Sequence, residues 1–262
     1  MRRLFSNPSL AIGLSATLVF ALIGLVSLVW TPFPIADIDI GRRFLGPTPE
    51  HWLGTDNLGR DMVSLLMSGT MTSFLVAALA VAIGTGIGVP LGLIAAAWDG
   101  PVEWLVLRFS DFIFAFPAVI VAILITTLNG PGAINAIIAI GIFNIPVFAR
   151  VARGGALSIA TLDFVAAGRL AGLGNMMIAY RHLLPNIMSL IIVQGTIQMS
   201  LGILAEAGLS YIGLGTQPPE TSLGLMLKDA QGMFLIYPWL TVLPGIAIVL
   251  IVIALNIAGD GL

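Results

Sequence analysis

Ionisable side chains are scarce in this chain, so the places where they gather limit the chemistry it can attempt. Only 9% of the 262 residues are charged. Asp163, Arg169, Arg181 and His182 fall together in the stretch 163–186, DFVAAGRLAGLGNMMIAYRHLLPN. A second polar set, Gly54-Thr-Asp-Asn-Leu-Gly-Arg-Asp61, offers Asp56, Gly59, Arg60 and Asp61. Arg108, Asp111 and Glu206 stand inside otherwise apolar runs. Intramembrane catalysis would want a Ser/His, paired-Asp or HExxH constellation, and no such pattern is present among these residues. The two histidines, His51 and His182, are far apart in sequence, and on the topology below they fall on opposite sides of a membrane. The octet suggests a calcium loop by its oxygens, but it lacks EF-hand spacing and a Glu at the twelfth position. A solvated turn with local Asx hydrogen bonds is the simpler reading.

A nucleotide loop is also missing. The phosphate-cradling pattern GxxxxGK[ST] needs a lysine, and the single lysine, Lys228, follows Leu227. Gly84, Gly86, Gly88 and Gly92 are not a GxGxxG loop, because Val89 holds the last position. They give two overlapping GxxxG spacings, which let another membrane helix approach closely. With no cysteine, neither disulfides nor thiolate metal sites are available. A net charge of −2 argues against a basic nucleic-acid surface.

The elements that must position these residues are apolar. The chain is 58% hydrophobic with a mean hydropathy of +1.05, too apolar for one soluble core. A crossing helix needs about 20 apolar residues, and six stretches qualify: Leu10–Trp30, Thr72–Trp98, Trp104–Leu128, Gly132–Ala149, Ile187–Gly213 and Pro238–Ala258. Pro90, Pro117, Pro146 and Pro244 lie within spans, and packing kinks are the simplest account of them. The first run follows Arg2 and Arg3 like a signal peptide, yet it is longer than the usual core. It also ends in Trp30-Thr-Pro-Phe-Pro rather than small residues, so a retained helix is expected. Placing both termini in the cytoplasm puts Arg2, Arg3, Arg108, Arg150, Arg153, Arg169 and Arg181 inside. Arg42, Arg43, Arg60 and Lys228 are then outside.

On this topology 163–186 is a cytoplasmic helix-turn-helix knob. Gly172-x-Gly174 breaks it, Asn175 is the expected N-cap of its second piece, and Pro185 suits the first turn of the next helix. His182 reads as a capping or docking residue. Asp111 is expected to pair with Arg108 on one helix face. Glu206 either lines a pathway or bonds backbone groups where the outer loop re-enters, the second being favoured. The outer segment 213–237 is too long for a tight turn. Its Leu223, Leu225, Met226 and Leu227 are candidates for the membrane interface.

Several segments carry a family resemblance. The 163–186 stretch resembles the EAA coupling loop of ABC importer permeases: Ala167, Gly172, His182, Leu183, Leu184, Pro185 and Asn186 fall in register. Ala166 stands where that pattern has its acidic residue, and Gly168 replaces its second Ala. The octet resembles the GTD-x-LGRD segment of permeases in the dipeptide, oligopeptide and nickel branch. So do Arg108-Phe-Ser-Asp111 with Ala115-Phe-Pro117, Leu204-Ala-Glu-Ala-Gly-Leu-Ser210, Gly213-Leu-Gly-Thr-Gln-Pro-Pro219 and Asn256 to Leu262. Relatives usually continue with a short charged tail after the last of these, where this chain stops.

The resemblance implies an all-α, six-span, MetI-like type I importer permease in a bacterial inner membrane. The expected division is a helix at 1–31, an outer loop at 32–71 and a five-helix core at 72–262. That core carries a coupling loop at 154–186 and an outer loop at 213–237. The resemblance further implies a second homologous permease, two ABC ATPases that bind the ATP and magnesium, and an extracytoplasmic solute-binding protein. No cofactor and no catalytic residue is expected in this chain. Peptides, glutathione-like peptides, nickel chelates and some sugars are the implied solutes. The competing expectation, an ion-coupled secondary transporter, would want inverted repeats and several buried ionisable groups. No clear repeat is present, and only Asp111 and Glu206 qualify.

Overall fold

The computed structural model describes residues 8–98 and 100–262. Arg2 and Arg3, counted above for orientation, lie outside the described residues. Helix α1 (Pro8–Ser27) packs on α10 (Trp239–Asp260), with Gly13 so close to Ala258 that a Cβ would strike its backbone. Between α1 and the next long helix the chain forms a folded outer segment with a single 3-10 turn at Ile40–Arg42.

Helix α2 (Met62–Ala97) has 36 residues and is about 54 Å long at 1.5 Å per residue. It begins well before the expected Thr72, because Asp61 caps it by accepting from the Ser64 N–H at 2.8 Å. Ser64, Thr70 and Ser73 are polar but buried, so they belong to packed helix rather than to a loop. The expected outer loop therefore shortens to the segment before Met62.

The expected third span is broken. Helices α3 (Pro101–Phe114) and α4 (Ala118–Asn129) meet at 81° across Ala115-Phe-Pro117. Pro117 has no N–H to continue the first helix and disfavours the α conformation at Phe116. Alone, α4 is about 18 Å long, short of the roughly 30 Å hydrocarbon core. Helix α5 (Ala133–Ile159) continues past the expected Ala149 and carries Pro146 within it. It therefore absorbs the first residues of the expected 154–186 loop.

Helices α2 and α5 form the closest pair, through one face of glycines. A Cβ at Gly84 would meet Asn144, at Gly88 the Ile145 carbonyl, and at Gly92 the Ala149 carbonyl; at Gly86, off that face, it would meet nothing within 4 Å. The two GxxxG spacings thus act in packing.

The chain then passes through α6 (Asp163–Leu170), α7 (Asn175–Ile178), a π turn at Ala179–Leu183 and α8 (Leu184–Tyr211). Short α9 (Leu223–Asp229) precedes α10. Leu223, Leu225 and Met226 are buried, with Leu223 and Met226 packing beside Met62, Leu65, Ile203 and Ile251. This corrects their expected place at the membrane interface. The reason is Gly224, whose missing side chain lets α9 rest directly on the Ala207 backbone of α8. Among the described residues, five helices are long and apolar enough to cross a membrane, or six with the bent α3–α4 pair counted as one span.

Candidate functional site

The 163–186 stretch folds as a knob at the far end of α2 from Asp61. Asp163 in the first turn of α6 and Arg169 in its last both oppose the helix dipole. The helix ends at Gly172, whose φ of +82° is the left-handed conformation. Gly172 N–H donates to the Arg169 carbonyl (3.0 Å) and Leu173 N–H to that of Gly168 (3.1 Å). This is the paired bonding of a Schellman stop. Gly174 keeps an ordinary extended backbone, so only the first glycine of the break needs its freedom.

Asn175 does not cap α7 as expected. The cap position is Gly174, and Asn175 Nδ2 instead donates to the Ala97 carbonyl at 2.9 Å. It satisfies an orphan carbonyl at the end of α2 and ties the knob to that helix. Pro185 lies in the first turn of α8, as expected, and the chain enters that helix from α7 without a break. It runs through the π turn, which accommodates a proline that cannot donate to a carbonyl one turn back.

The underside of the knob is dry. Val165, Ile178, Ala179 and Leu183 are buried against Val89, Leu93, Phe148 and Ala152 of α2 and α5. Gly168 is buried under His182, whose ring lies 6.3 Å from that of Phe164. A Cβ at Gly168 would sit 3.4 Å from His182 Nε2, an ordinary contact, so the alanine of the family pattern would fit.

The outer side is open. Ala166, Ala167, Arg169, Arg181 and Pro185 are exposed, as are Leu170 (90%), Met176, Met177 and Tyr180. Asp163, Arg169 and Arg181 have no ion-pair partner among the described residues. Several exposed apolar side chains in one short segment, together with unpaired charges, are the form of a protein-docking surface.

At the other end of α2 the octet is a closed turn. Asp56 Oδ1 accepts from the N–H groups of Leu58 and Arg60, both at 2.8 Å, and Oδ2 takes Arg60 Nε at 2.7 Å. Gly59 has a φ of +79° and lies against the Asp39 carbonyl, leaving no room for a side chain. Asp61 accepts from Ser64 N–H, Ser64 Oγ (2.9 Å) and the His51 ring (3.0 Å). The carboxylates are committed to the turn and the helix cap, as an Asx turn requires. Arg60 also reaches Asp229 on α9 at 3.6 Å. Burial raises the Asp229 carboxyl above its usual value, against the opposing pull of Arg60.

The charged residues within the apolar runs are also bonded inside the chain. The expected Arg108–Asp111 pair is long, at 3.9 Å, and the main partner of Asp111 is Arg150 of α5, at 2.6 Å. Arg153 of α5 holds Glu103 in the same way, so two ion pairs join α3 to α5. Glu206 is 0% exposed. It accepts from Ser73 Oγ at 2.7 Å and Ser210 Oγ at 2.6 Å, with Thr216 Oγ1 at 3.4 Å. Its partners are therefore hydroxyls, not the backbone groups expected. Ser210 Oγ in turn accepts from the Thr216 N–H at 3.1 Å, which pins the outer segment to α8.

One polar set was not anticipated. Gln198 Nε2 donates to Asn144 Oδ1 at 2.7 Å, and Gln194 Nε2 to Gln198 Oε1 at 3.3 Å. The signal available in the sequence was two glutamines four apart within an apolar helix.

Residues 88–262 match the family described as binding-protein-dependent transport system inner membrane component. The chain is 36% identical over 261 residues to the dipeptide transport system permease protein DppC of Alkalihalophilus pseudofirmus, covering 100% of this chain and 86% of that one. It is 38% identical over 224 residues to the glutathione transport system permease protein GsiD of Pectobacterium atrosepticum, covering 86% and 74% respectively. Among solved structures it is similar to the MetNI methionine ABC transporter in an inward-facing conformation. There the TM-score is 0.61 at 21% identity, over 76% of this chain and 94% of that one, which shows the same fold. The apolar helices, their MetI-like arrangement and these relatives together place the chain in the binding-protein-dependent transport family, as a multi-pass inner-membrane permease subunit of a bacterial ABC importer.

Proposed function

We propose that this permease forms half of a pathway for peptides or a related small solute, and that the 163–186 knob couples it to partner ATPases. The exposed patch of Leu170, Met176, Met177 and Tyr180, rimmed by unpaired Arg169, Arg181 and Asp163, carries the reading. A surface so apolar needs a protein cover, and a chain without a phosphate-binding lysine loop needs an external source of ATP energy. The remaining parts of the assembly are a second homologous permease, two ATPases holding ATP and magnesium, and a solute-binding protein. The chain itself performs no hydrolysis. The substrate class follows the dipeptide and glutathione relatives.

Sidedness follows from α2. Its two ends carry the knob and the octet, so these face opposite compartments, and Arg150, Arg153, Arg169 and Arg181 gather on the knob side. We read that side as cytoplasmic because Arg108, Arg150, Arg153, Arg169 and Arg181 on it outnumber Arg42, Arg43, Arg60 and Lys228 on the other, and the same reading puts both termini there. ATP-driven closure of the ATPase pair draws two such knobs together and switches the helices between inward- and outward-open packings.

The test is uptake of dialanine and S-methylglutathione by the assembled importer in proteoliposomes. Uptake should need ATP and the binding protein, and should survive collapse of a proton gradient. Uptake that follows the proton gradient without ATP would overturn the reading in favour of an ion-coupled transporter.

A further inference from the structure

The knob and the octet leave helix α3 unexplained. It has 14 residues, about 21 Å of helix, too short to cross the roughly 30 Å hydrocarbon core. Its two ion pairs fix its slope. Glu103 meets Arg153 and Asp111 meets Arg150, so about 12 Å of α3 passes over only about 4.5 Å of α5. Helix α3 therefore crosses α5 obliquely, in keeping with its 81° turn from α4. The same pairs fix its depth. Helix α5 starts on the octet's side, where Gly132 N–H donates to the Leu214 carbonyl at 3.3 Å. Arg150 and Arg153 lie about 26 and 30 Å along it. That is the thickness of the hydrocarbon core, so α3 runs along its knob-side boundary.

The outward surface of α3 divides into two stripes. Val102, Leu105, Phe109 and Phe112 follow a three-four-three spacing and are 40 to 64% exposed. Beside them Trp104, Arg108 and Asp111, also exposed, follow a four-three spacing. Ser110 and Ile113, on the opposite side, are buried. An apolar stripe beside a polar one, on a helix lying along the boundary, is the form of an interfacial amphipathic helix. Charge then selects the lipid. Arg150 and Arg153 engage the two carboxylates of α3, which leaves Arg108 as the excess cation. Its side chain is 65% exposed and its contact with Asp111 is long, at 3.9 Å. Its guanidinium lies 5.7 Å from the centre of the Trp104 ring. Tryptophan favours the headgroup level, so Trp104 holds Arg108 where lipid phosphates lie, and a guanidinium pairs with phosphate through two hydrogen bonds.

We propose that α3 is a nearly in-plane lipid-binding helix of the inner leaflet. Its apolar stripe lies among the acyl chains, and Arg108, set by Trp104, binds the phosphate of an anionic phospholipid. Naming the inner leaflet rests on the sidedness read above; the in-plane placement and the choice of lipid do not.

Because the chain has no cysteine, single spin-labelled cysteines report depth without background from this subunit. Val102→Cys, Leu105→Cys, Phe109→Cys and Phe112→Cys would be placed in the complete importer, with partner cysteines replaced, in phosphatidylglycerol-containing nanodiscs. Collision with oxygen and with a nickel chelate reads the depth of each label. All four should be open to oxygen and differ in depth by about 6 Å, against about 15 Å for a helix along the membrane normal. A spread beyond about 10 Å would overturn the in-plane placement. Labels closed to oxygen would overturn it too, as the mark of a second permease or an ATPase covering the stripe.

Lipid choice is read at Trp104, as the difference in fluorescence between the importer and its Trp104→Phe variant. Brominated phosphatidylglycerol should quench Trp104 with an apparent affinity about fivefold higher than brominated phosphatidylcholine, the gain from one arginine near an anionic headgroup. Arg108→Gln should remove that preference, and Arg108→Lys should keep it. Equal quenching by both lipids in the wild-type importer would overturn the anionic-headgroup claim, and quenching by neither would show that protein covers α3. Failure of the importer reading would change only which leaflet holds the helix. The depth spread and the lipid preference would still decide the site.

Discussion

Asp61 holds three donors at once: the first-turn N–H and hydroxyl of Ser64 and the buried ring of His51. Asp61→Ala should therefore cost about 1–2 kcal/mol or more, since a helix cap alone is worth about 1 kcal/mol. The check is the thermal midpoint of the detergent-solubilised protein. Asp229 should behave in the opposite way. Burial raises its carboxyl above the usual 3.8, so the folded state holds this proton more tightly than the unfolded chain does. Its contribution favours folding at acid pH and is lost as pH rises from 3.8 through the raised folded value. Asp229→Asn should thus flatten the acid side of the stability profile without lowering the midpoint at neutral pH. A large drop at neutral pH would show that the Arg60 contact outweighs burial. The octet was legible as a turn because Asx bonding is local. The true partner of Asp111 was not, because Arg150 is 39 positions away and only packing brings it near. Asn175 was misassigned for the same reason: capping is a local rule, and its carbonyl partner lies on another helix.

At the scale of elements, apolar run length located every long helix, and it misjudged the places where polar residues are satisfied by packing. Helix α2 gained its first turns from Asp61, Ser64 and buried Thr70, none of which an apolar window rewards. The α3–α4 elbow was visible only as a proline, because sequence cannot say whether Pro117 kinks a helix or ends it. The glycine face of α2 was readable from its spacing, and it makes a sharp prediction. Gly88→Leu should force α2 from α5 and abolish assembly of the complex, while Gly86→Leu, facing open space, should leave it intact. Size-exclusion of the purified importer separates the two outcomes. Equal behaviour of both variants would contradict the packing described for α2 and α5.

Across the whole molecule, the two polar segments sit at opposite ends of one 36-residue helix, and the knob is joined to that helix both by Asn175 and by a dry underside. A push on the knob is therefore delivered to α2 and α5 as a unit. Gly172→Pro removes both the left-handed stop and the N–H that closes it. Arg181→Glu reverses an exposed charge at the docking rim without touching the core. The most direct test is the number of solute molecules imported per ATP hydrolysed by the reconstituted importer carrying either change. Both variants should insert, assemble and still hydrolyse ATP while uptake per ATP falls, for Gly172→Pro by about tenfold or more, given that strained backbone at such a stop costs about 1–3 kcal/mol. Wild-type coupling in both would contradict the claim that this knob carries ATP energy into the pathway.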